Sequence, residues 1–332
     1  MSSSARTAVA LFSGGLDSML ACRLIADQGI RVVALHFDIG FGISEAKRAW
    51  LEQAATEARA ELHIVDIADQ FIGEILYNPK HGYGSAFNPC IDCHANMFRH
   101  AERYRQDHGY DFLISGEVLG ERPFSQNRQA LGIVAKESAQ DRILRPLSAK
   151  LLEPSLAEQK GWVKRDDLEA ISGRSRKRQL QLVAQYGISA YESPAGGCLY
   201  TDPGFAMRLK EASRYTPPDS EEIKLLKIGR HLRLPEGAKL IIGRNAEENH
   251  ALLEASCSRY HRIEMPEGLI GPVSLLQKSV SGADRALAAQ LILTYARSKP
   301  TEYYTLQIDQ TPITAQPLAS KSEAAQYLIL GA

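Results

Sequence analysis

The chain is 332 residues long, and its 39 Lys and Arg balance 39 Asp and Glu to a formal net charge of zero. At roughly 100–200 residues per domain this length predicts two or three domains, and 44% apolar residues are enough to fill their cores. The balance excludes a uniformly basic nucleic-acid coat but not a local basic patch. A mean hydropathy of -0.23, with no run near the roughly 18 apolar residues of a spanning helix, predicts no membrane span. The segment before the first apolar run is too short for a signal peptide, so a cytoplasmic location is expected.

Residues 8–147 alternate apolar strand-like runs with helical patterns, the signature of a parallel sheet with crossover helices. Strands are predicted at 7–12, 30–37, 62–67 and 110–114, and helices at 18–27, 44–60 and 91–107, with Ser44 as an N-cap. The Gly-, Pro- and Asn-rich stretch 78–89 reads as a loop that delivers Cys90 to the start of a helix. After Pro146 come short helices at 165–171, 175–186, 205–213 and 219–228. Strands at 238–243, 260–265, 272–277 and 303–308, interleaved with helices at 246–256 and 282–298, then predict a compact α+β unit. The expected organisation is an α/β domain over 1–150, a helical basic segment over 151–233 and an α+β domain over 234–332.

The most informative segment is Ser13-Gly14-Gly15-Leu16-Asp17-Ser18, which follows a strand and opens a helix. Two glycines let backbone N–H groups close on an anion, the helix N-terminus adds its positive dipole end, and the serines add hydroxyl donors. Asp17 is the wrong charge to meet phosphate directly and suits a Mg²⁺ ion held between it and the phosphate oxygens. Walker spacing and the dinucleotide Gly-x-Gly-x-x-Gly are both absent. A Gly-Gly turn with an Asp/Ser helix cap is the plain alternative.

These residues resemble the signature Ser-Gly-Gly-x-Asp-Ser of the PP-loop ATP pyrophosphatases, at all of its fixed positions. The resemblance implies a HUP-like parallel sheet with flanking helices, and cleavage of ATP between the α and β phosphates to adenylate a carbonyl or carboxylate oxygen. It makes Leu35, His36 and Phe37, on the second strand, candidate adenosine contacts, with a core strand as the alternative. Further on, Ser115-Gly116-Glu117-Val118-Leu119-Gly120, then Ser125-Gln126-Asn127, then Ile143-Leu144-Arg145-Pro146-Leu147 resemble the tRNA 4-thiouridine synthetase (ThiI) family in the same order. Glu121 and Asn127 stand where that family has Gln and Thr. Ser115, Gly116 and Glu117 end a strand, where open α/β sheets place their ligand crevice, and Ser125, Gln126 and Arg128 offer donors to a phosphate or a base edge. For Glu117 a solvated acid at the strand end is the alternative.

Of five cysteines, Cys90 and Cys93 lie one helical turn apart and Cys198 sits in a Pro-Gly-Gly loop, whereas Cys22 and Cys257 ride on apolar elements. Three thiolates leave one iron of a 4Fe–4S cluster open, and the set resembles that of short cluster-dependent PP-loop tRNA thiolases. Zinc with a fourth ligand such as His94, or a persulfide relay through Cys198, remain the alternatives. The expected catalytic residues are Asp17, Cys90, Cys93 and Cys198.

Arg174, Arg176, Lys177 and Arg178 form a basic run without an acid, read as an RNA phosphate contact or as a solvated helix face. Residues 241–249, containing Gly243, Arg244, Asn245 and Asn249, resemble the core motif of the NFACT-R RNA-binding domain, which makes Arg244, Asn245 and Asn249 candidate RNA contacts; a strand, turn and Asn-capped helix is the plain reading. The expectation is an ATP- and Mg²⁺-dependent tRNA sulfurtransferase that makes 4-thiouridine. Its partners would be tRNA and a sulfur donor, either sulfide or a cysteine desulfurase, with no membrane partner, and a homodimer is compatible with it. A PP-loop amidating or base-modifying ligase with structural zinc, and a non-catalytic nucleotide-switched RNA adaptor, are the rivals.

Overall fold

A computed structural model describes residues 6–191, 197–255 and 257–329. The chain divides into two compact units, Met1–Cys198 and Leu199–Ala332. The middle segment expected over 151–233 is therefore split. Val163, Leu168, Ile171, Leu182 and Ile188 bury themselves in the core of the first unit, which claims the segment as far as Cys198.

Among the described residues the first unit has five parallel strands, β1 (Thr7–Leu11), β2 (Arg31–Asp38), β3 (Glu61–Asp66), β4 (Phe112–Ser115) and β5 (Ile143–Leu144), in the order β3-β2-β1-β4-β5. Central strand β1 is apolar on both faces because both are covered. Ala8 and Ala10 face a cluster with Leu20, Phe112 and Ile114, while Val9 faces another with Leu35, Phe98 and Leu113. Helices Leu16–Ala26 and Glu45–Glu57 supply the first cluster, and helices Cys90–Asp107 and Arg128–Lys136 the second. Ser44 caps its helix as expected, its hydroxyl accepting from the Lys47 N–H at 3.2 Å.

The expected helix at 165–171 is only a single 3-10 turn, Arg165–Asp167. Beyond it the Glu169 and Ile171 N–H groups donate to the Pro146 and Leu147 carbonyls, so pairing between segments outcompetes helix formation.

The second unit holds an antiparallel six-stranded sheet, β6 (Arg230–Arg233), β7 (Lys239–Ile242), β8 (Tyr260–Glu264), β9 (Ser274–Gln277), β10 (Tyr304–Ile308) and β11 (Thr311–Ala315), in the order β11-β10-β8-β9-β7-β6. Helix Gly282–Tyr295 packs its Ala288, Leu291 and Ile292 onto the sheet's buried face. Edge strands β6 and β11 are additions to the expected pattern. Strand β6 carries Arg at both ends, and β11 contains Pro312, which a sheet tolerates only at an edge. Asp309 and Gln310, both at positive φ, make the two-residue turn between β10 and β11 without the Asn-Gly signal such turns usually show. None of the described helices is long and apolar enough to cross a membrane.

Candidate active site

The strand order reverses direction between β1 and β4, and a ligand crevice forms outside the carboxyl ends of strands at such a switch point. Register sets Leu11 beside Ser115. The loop 13–18 that leaves β1 and the segment 115–117 that leaves β4 therefore meet.

Their contact is tight. A Cβ on Gly116 would lie 2.5 Å from both the Asp17 carbonyl carbon and the Ser18 amide nitrogen, so only glycine lets the strand end pass the loop. Gly14 has φ +79°, and a Cβ there would sit 2.8 Å from Leu51 Cδ2 and 3.2 Å from Trp50 Nε1. Inside the loop, Ser18 Oγ donates to the Gly15 carbonyl at 2.7 Å and the Gly15 N–H donates to Ser13 Oγ at 3.2 Å. Gly15 is the N-cap of helix Leu16–Ala26 and brings no side-chain cap, which leaves first-turn N–H groups facing the crevice mouth. That cradle fits an anion such as a polyphosphate.

Asp17 is half-buried, and its Oδ1 is a buried acceptor with no hydrogen-bond partner. Burial, reinforced by the charge of Glu121, pushes its carboxyl up to about 6 against the opposing pull of Arg176, Gln179 and Arg122. An orphaned carboxylate oxygen beside an anion cradle fits a Mg²⁺ ion, whose charge would supply the missing partner.

Glu117 is buried, so the solvated-acid alternative does not describe it. Its Oε2 accepts from Arg145 Nε at 2.8 Å and from Ser115 Oγ at 3.1 Å, and its Oε1 lies 2.7 Å from His94 Nδ1. Burial alone would raise this carboxyl, but the Arg145 charge and the His94 hydrogen bond outweigh it and hold it at about 2. A fixed negative centre thus ties β4, the segment after β5 and the cysteine-bearing helix together behind the crevice.

Leu35 and Phe37 are buried in the core cluster around Val9, while His36 is half-buried with Nδ1 2.9 Å from the Phe12 carbonyl oxygen, to which it donates. Ser125 and Gln126 are also buried, and Gln126 Oε1 has no hydrogen-bond partner. Arg128 is exposed and donates to the Leu151 carbonyl at 2.9 Å.

Cys90 is half-buried at the first turn of helix Cys90–Asp107, and its sulfur accepts from Asn88 Nδ2 at 3.1 Å. Cys93 is buried and Cys198 exposed. Burial pushes the Cys93 thiol well up, and the nearby Cys198 and Cys90 thiols push it the same way. Cys93 thus lies within electrostatic reach of both Cys90 and Cys198. Their soft-donor chemistry fits an iron–sulfur cluster, but no three His, Cys, Asp or Glu side chains among the described residues stand close enough to hold a metal ion. The start of the Pro-Gly-Gly loop, residues 193–196, lies outside the described residues.

The basic run does not act as four equal cations. Leu119 bridges to Ser172, and this brings Arg176 within 3.8 Å of Asp17 and 3.4 Å of Glu121. Arg178 makes two bonds to Glu169, at 2.6 and 2.9 Å. Arg174 and Lys177 are exposed. In the second unit Arg244 pairs with Glu248, Asn245 Oδ1 caps helix Ala246–Glu254 by accepting from the Glu248 N–H at 2.9 Å, and Asn249 Oδ1 accepts from the Val273 N–H at 3.0 Å. Trp50, Glu121, Arg145 and Gln179 complete the crevice, and none of them was read from the sequence as a site residue. Glu121 and Arg145 carried a signal only as motif positions, Glu121 in place of the family's Gln and Arg145 within 143–147.

The family model of ThiI, a thiamine biosynthesis protein, matches residues 3–151, and that of the NFACT protein RNA binding domain matches residues 229–327. Over 131 residues the chain is 28% identical to a "Probable tRNA sulfurtransferase" of Thermococcus kodakarensis, covering 39% of this chain and 34% of that protein. A tRNA sulfurtransferase of Desulfurococcus amylolyticus is 30% identical over 157 residues, 42% of this chain and 29% of its own length. The chain thus spans about a third of these curated relatives. A solved 4-thiouridine synthetase–RNA complex with bound ATP aligns at a TM-score of 0.36 and 20% identity, over 55% of this chain and 52% of that one. A ThiI-like region and an NFACT-R-type region therefore stand where the motifs predicted them.

Proposed function

We propose that the protein is an ATP-dependent tRNA sulfurtransferase that converts a uridine of tRNA to thiouridine, with 4-thiouridine as the product. The observation that supports it most is the meeting of the 13–18 loop with Gly116 at the switch point, within the region that the ThiI family model matches. In this reading the loop N–H groups and the Ser13 and Ser18 hydroxyls hold the ATP phosphates, and Asp17 Oδ1 holds Mg²⁺. A uracil carbonyl oxygen attacks the α-phosphate and pyrophosphate leaves. Charge on the departing group meets donors that are already in place. A sulfide-level sulfur then adds to the activated carbon and AMP departs with the oxygen. Cys90, Cys93 and Cys198 are the proposed ligands of an iron–sulfur cluster, which when bound supplies an open iron position able to hold that sulfur.

The test is anaerobic protein incubated with ATP, Mg²⁺, tRNA and sulfide, followed by pyrophosphate and nucleoside analysis. Pyrophosphate release is expected only when tRNA is present. Cys93→Ala and Cys198→Ala should retain it while losing thiouridine; normal thiolation by either would overturn the sulfur-handling part. Release without tRNA would favour the ligase.

A zinc site is the second reading. Glu117 fixes His94 Nδ1, as carboxylates fix metal-binding imidazoles, and His94 adjoins Cys93. Metal and sulfide analysis separates the two.

For RNA, the exposed Arg174 and Lys177 are the proposed phosphate contacts beside the crevice. Replacing both with Ala is expected to flatten the slope of log affinity for tRNA against log salt by about 1.8, two phosphates at about 0.9 each. An unchanged slope in a filter-binding series would remove them from the interface.

A further inference from the structure

The second unit contains a buried lysine that makes no hydrogen bond or ion pair among the described residues. Lys239, the first residue of β7, is 1% exposed, and its Nζ has no hydrogen-bond partner. Residues 240–242 of the same strand are all apolar and buried, so an aliphatic side chain would suit this position in a purely structural strand.

The two carboxylates nearest in charge are already engaged. Glu222 accepts from Tyr260 Oη at 2.6 Å through Oε1 and from Arg259 Nη1 at 2.9 Å through Oε2. Glu211 accepts from Arg233 Nε at 2.6 Å and Nη2 at 3.0 Å. A buried ammonium left over from such pairing costs stability, and chains that keep one commonly use it on a ligand.

A cavity of about 300 Å³ adjoins it. Arg233, Lys239, Arg259 and Lys278 line this cavity against Glu222 alone, with hydroxyls from Thr216, Ser258 and Ser279 at the wall. Arg233 is paired with Glu211 and Arg259 with Glu222 and Asp219, which leaves Lys239 and Lys278 as the cavity's cations without an ion pair among the described residues. Two such charges suit a group carrying two negative charges better than a single carboxylate. Lysine as a compact point charge, arginines with planar donors and several hydroxyls are together the donor set that binds phosphoryl oxygens. Burial, opposed by Glu222, pushes the Lys239 ammonium down to about 8, which leaves it mostly charged at neutral pH.

We propose that this cavity binds a phosphate monoester, with the Lys239 ammonium as its anchoring donor. The same chemistry is offered by a free phosphate or mononucleotide and by the phosphorylated end of an RNA strand. The site belongs to the second unit, so its test does not depend on thiolation.

The full chain and Lys239→Met are compared by melting and by calorimetric titration at constant ionic strength. The probes are inorganic phosphate, AMP, and one short RNA carrying either a 5′-phosphate or a 5′-hydroxyl. Without ligand, Lys239→Met should melt above the parent, because an apolar chain of similar length replaces an unpaired charge. Phosphate should raise the parent's melting temperature and leave that of Lys239→Met unmoved, with at least about a tenfold loss of affinity. Lys278→Ala, at the exposed rim, should fold normally and lose affinity by a smaller factor. Discrimination between the two RNA ends that vanishes in Lys239→Met assigns the ligand to RNA. Retained binding of phosphate or AMP without that discrimination assigns it to a small molecule. Equal phosphate responses in parent and Lys239→Met, or a lower unliganded melting temperature in Lys239→Met, would overturn the proposal.

Discussion

A Gly116→Ala protein is expected to lose tRNA-dependent pyrophosphate release by about 100-fold, the usual cost of displacing a reacting group by about 1 Å. The added methyl would stand 2.5 Å from the Asp17 carbonyl carbon and the Ser18 nitrogen, which are backbone atoms and cannot rotate aside. Either β4 shifts or the loop does, and the phosphate cradle opens in both cases. Gly132→Ala is the control. It lies within helix Arg128–Lys136 with nothing within 4 Å of the new methyl, so it should leave turnover unchanged and stabilise the helix by about 1 kcal/mol. Turnover by Gly116→Ala at the parent rate would show that the strand end and the loop do not cooperate.

Arg145→Met is expected to destabilise the first unit by about 3–5 kcal/mol, because it leaves the buried Glu117 carboxylate without its guanidinium. At roughly 2–4 °C per kcal/mol for a unit of this size, the melting temperature should fall by about 10 °C. Pairing it with Glu117→Gln should recover part of the loss, since the double variant buries no orphaned charge. If the double variant falls by the full sum of the single losses, the two groups are not coupled.

The pH dependence has a definite sign. The Glu117 carboxyl is held at about 2, below its ordinary value of 4.5. Its contribution is therefore fully present above about 4.5 and is lost as the pH falls from there towards 2. Without Arg145 the carboxyl rises towards or above its ordinary value, so Arg145→Met should lose less stability than the parent between about pH 4.5 and 2, giving a flatter acid profile. Acid profiles that superimpose would argue that Arg145 does not hold the carboxylate down.

Much of the first unit was legible in its residues because local patterning and burial agree there. The alternating runs in 7–38 become β1 and β2 within a residue of their expected limits, and Ser44 caps the helix it was expected to cap. Legibility failed where a contact from elsewhere in the chain set the local structure. Leu168 and Ile171 lie in a helical pattern but enter the core on extended backbone, held by carbonyls of Pro146 and Leu147. The hairpin of β10 and β11 went unseen because Asp309 and Gln310 take positive φ without glycine.

The candidate site divides in the same way. Ser13 to Ser18, Gly116 and the three cysteines proposed as cluster ligands could be named from their types and spacing, since an anion cradle needs glycine and N–H groups and a cluster needs thiols. The sequence by itself therefore determined the chemistry on offer and the organisation into a sulfurtransferase-like region and an RNA-binding-like one. The tertiary structure decided which side chains are charged, paired or buried. Glu117 and Arg145 are 28 residues apart and meet only because β4 and β5 are neighbours. Arg176 reaches Asp17 only through the pairing of Leu119 with Ser172. Balanced composition hid both, and it hid the unpaired ammonium of Lys239, because ion pairing depends on distances of a few ångströms that sequence separation does not encode.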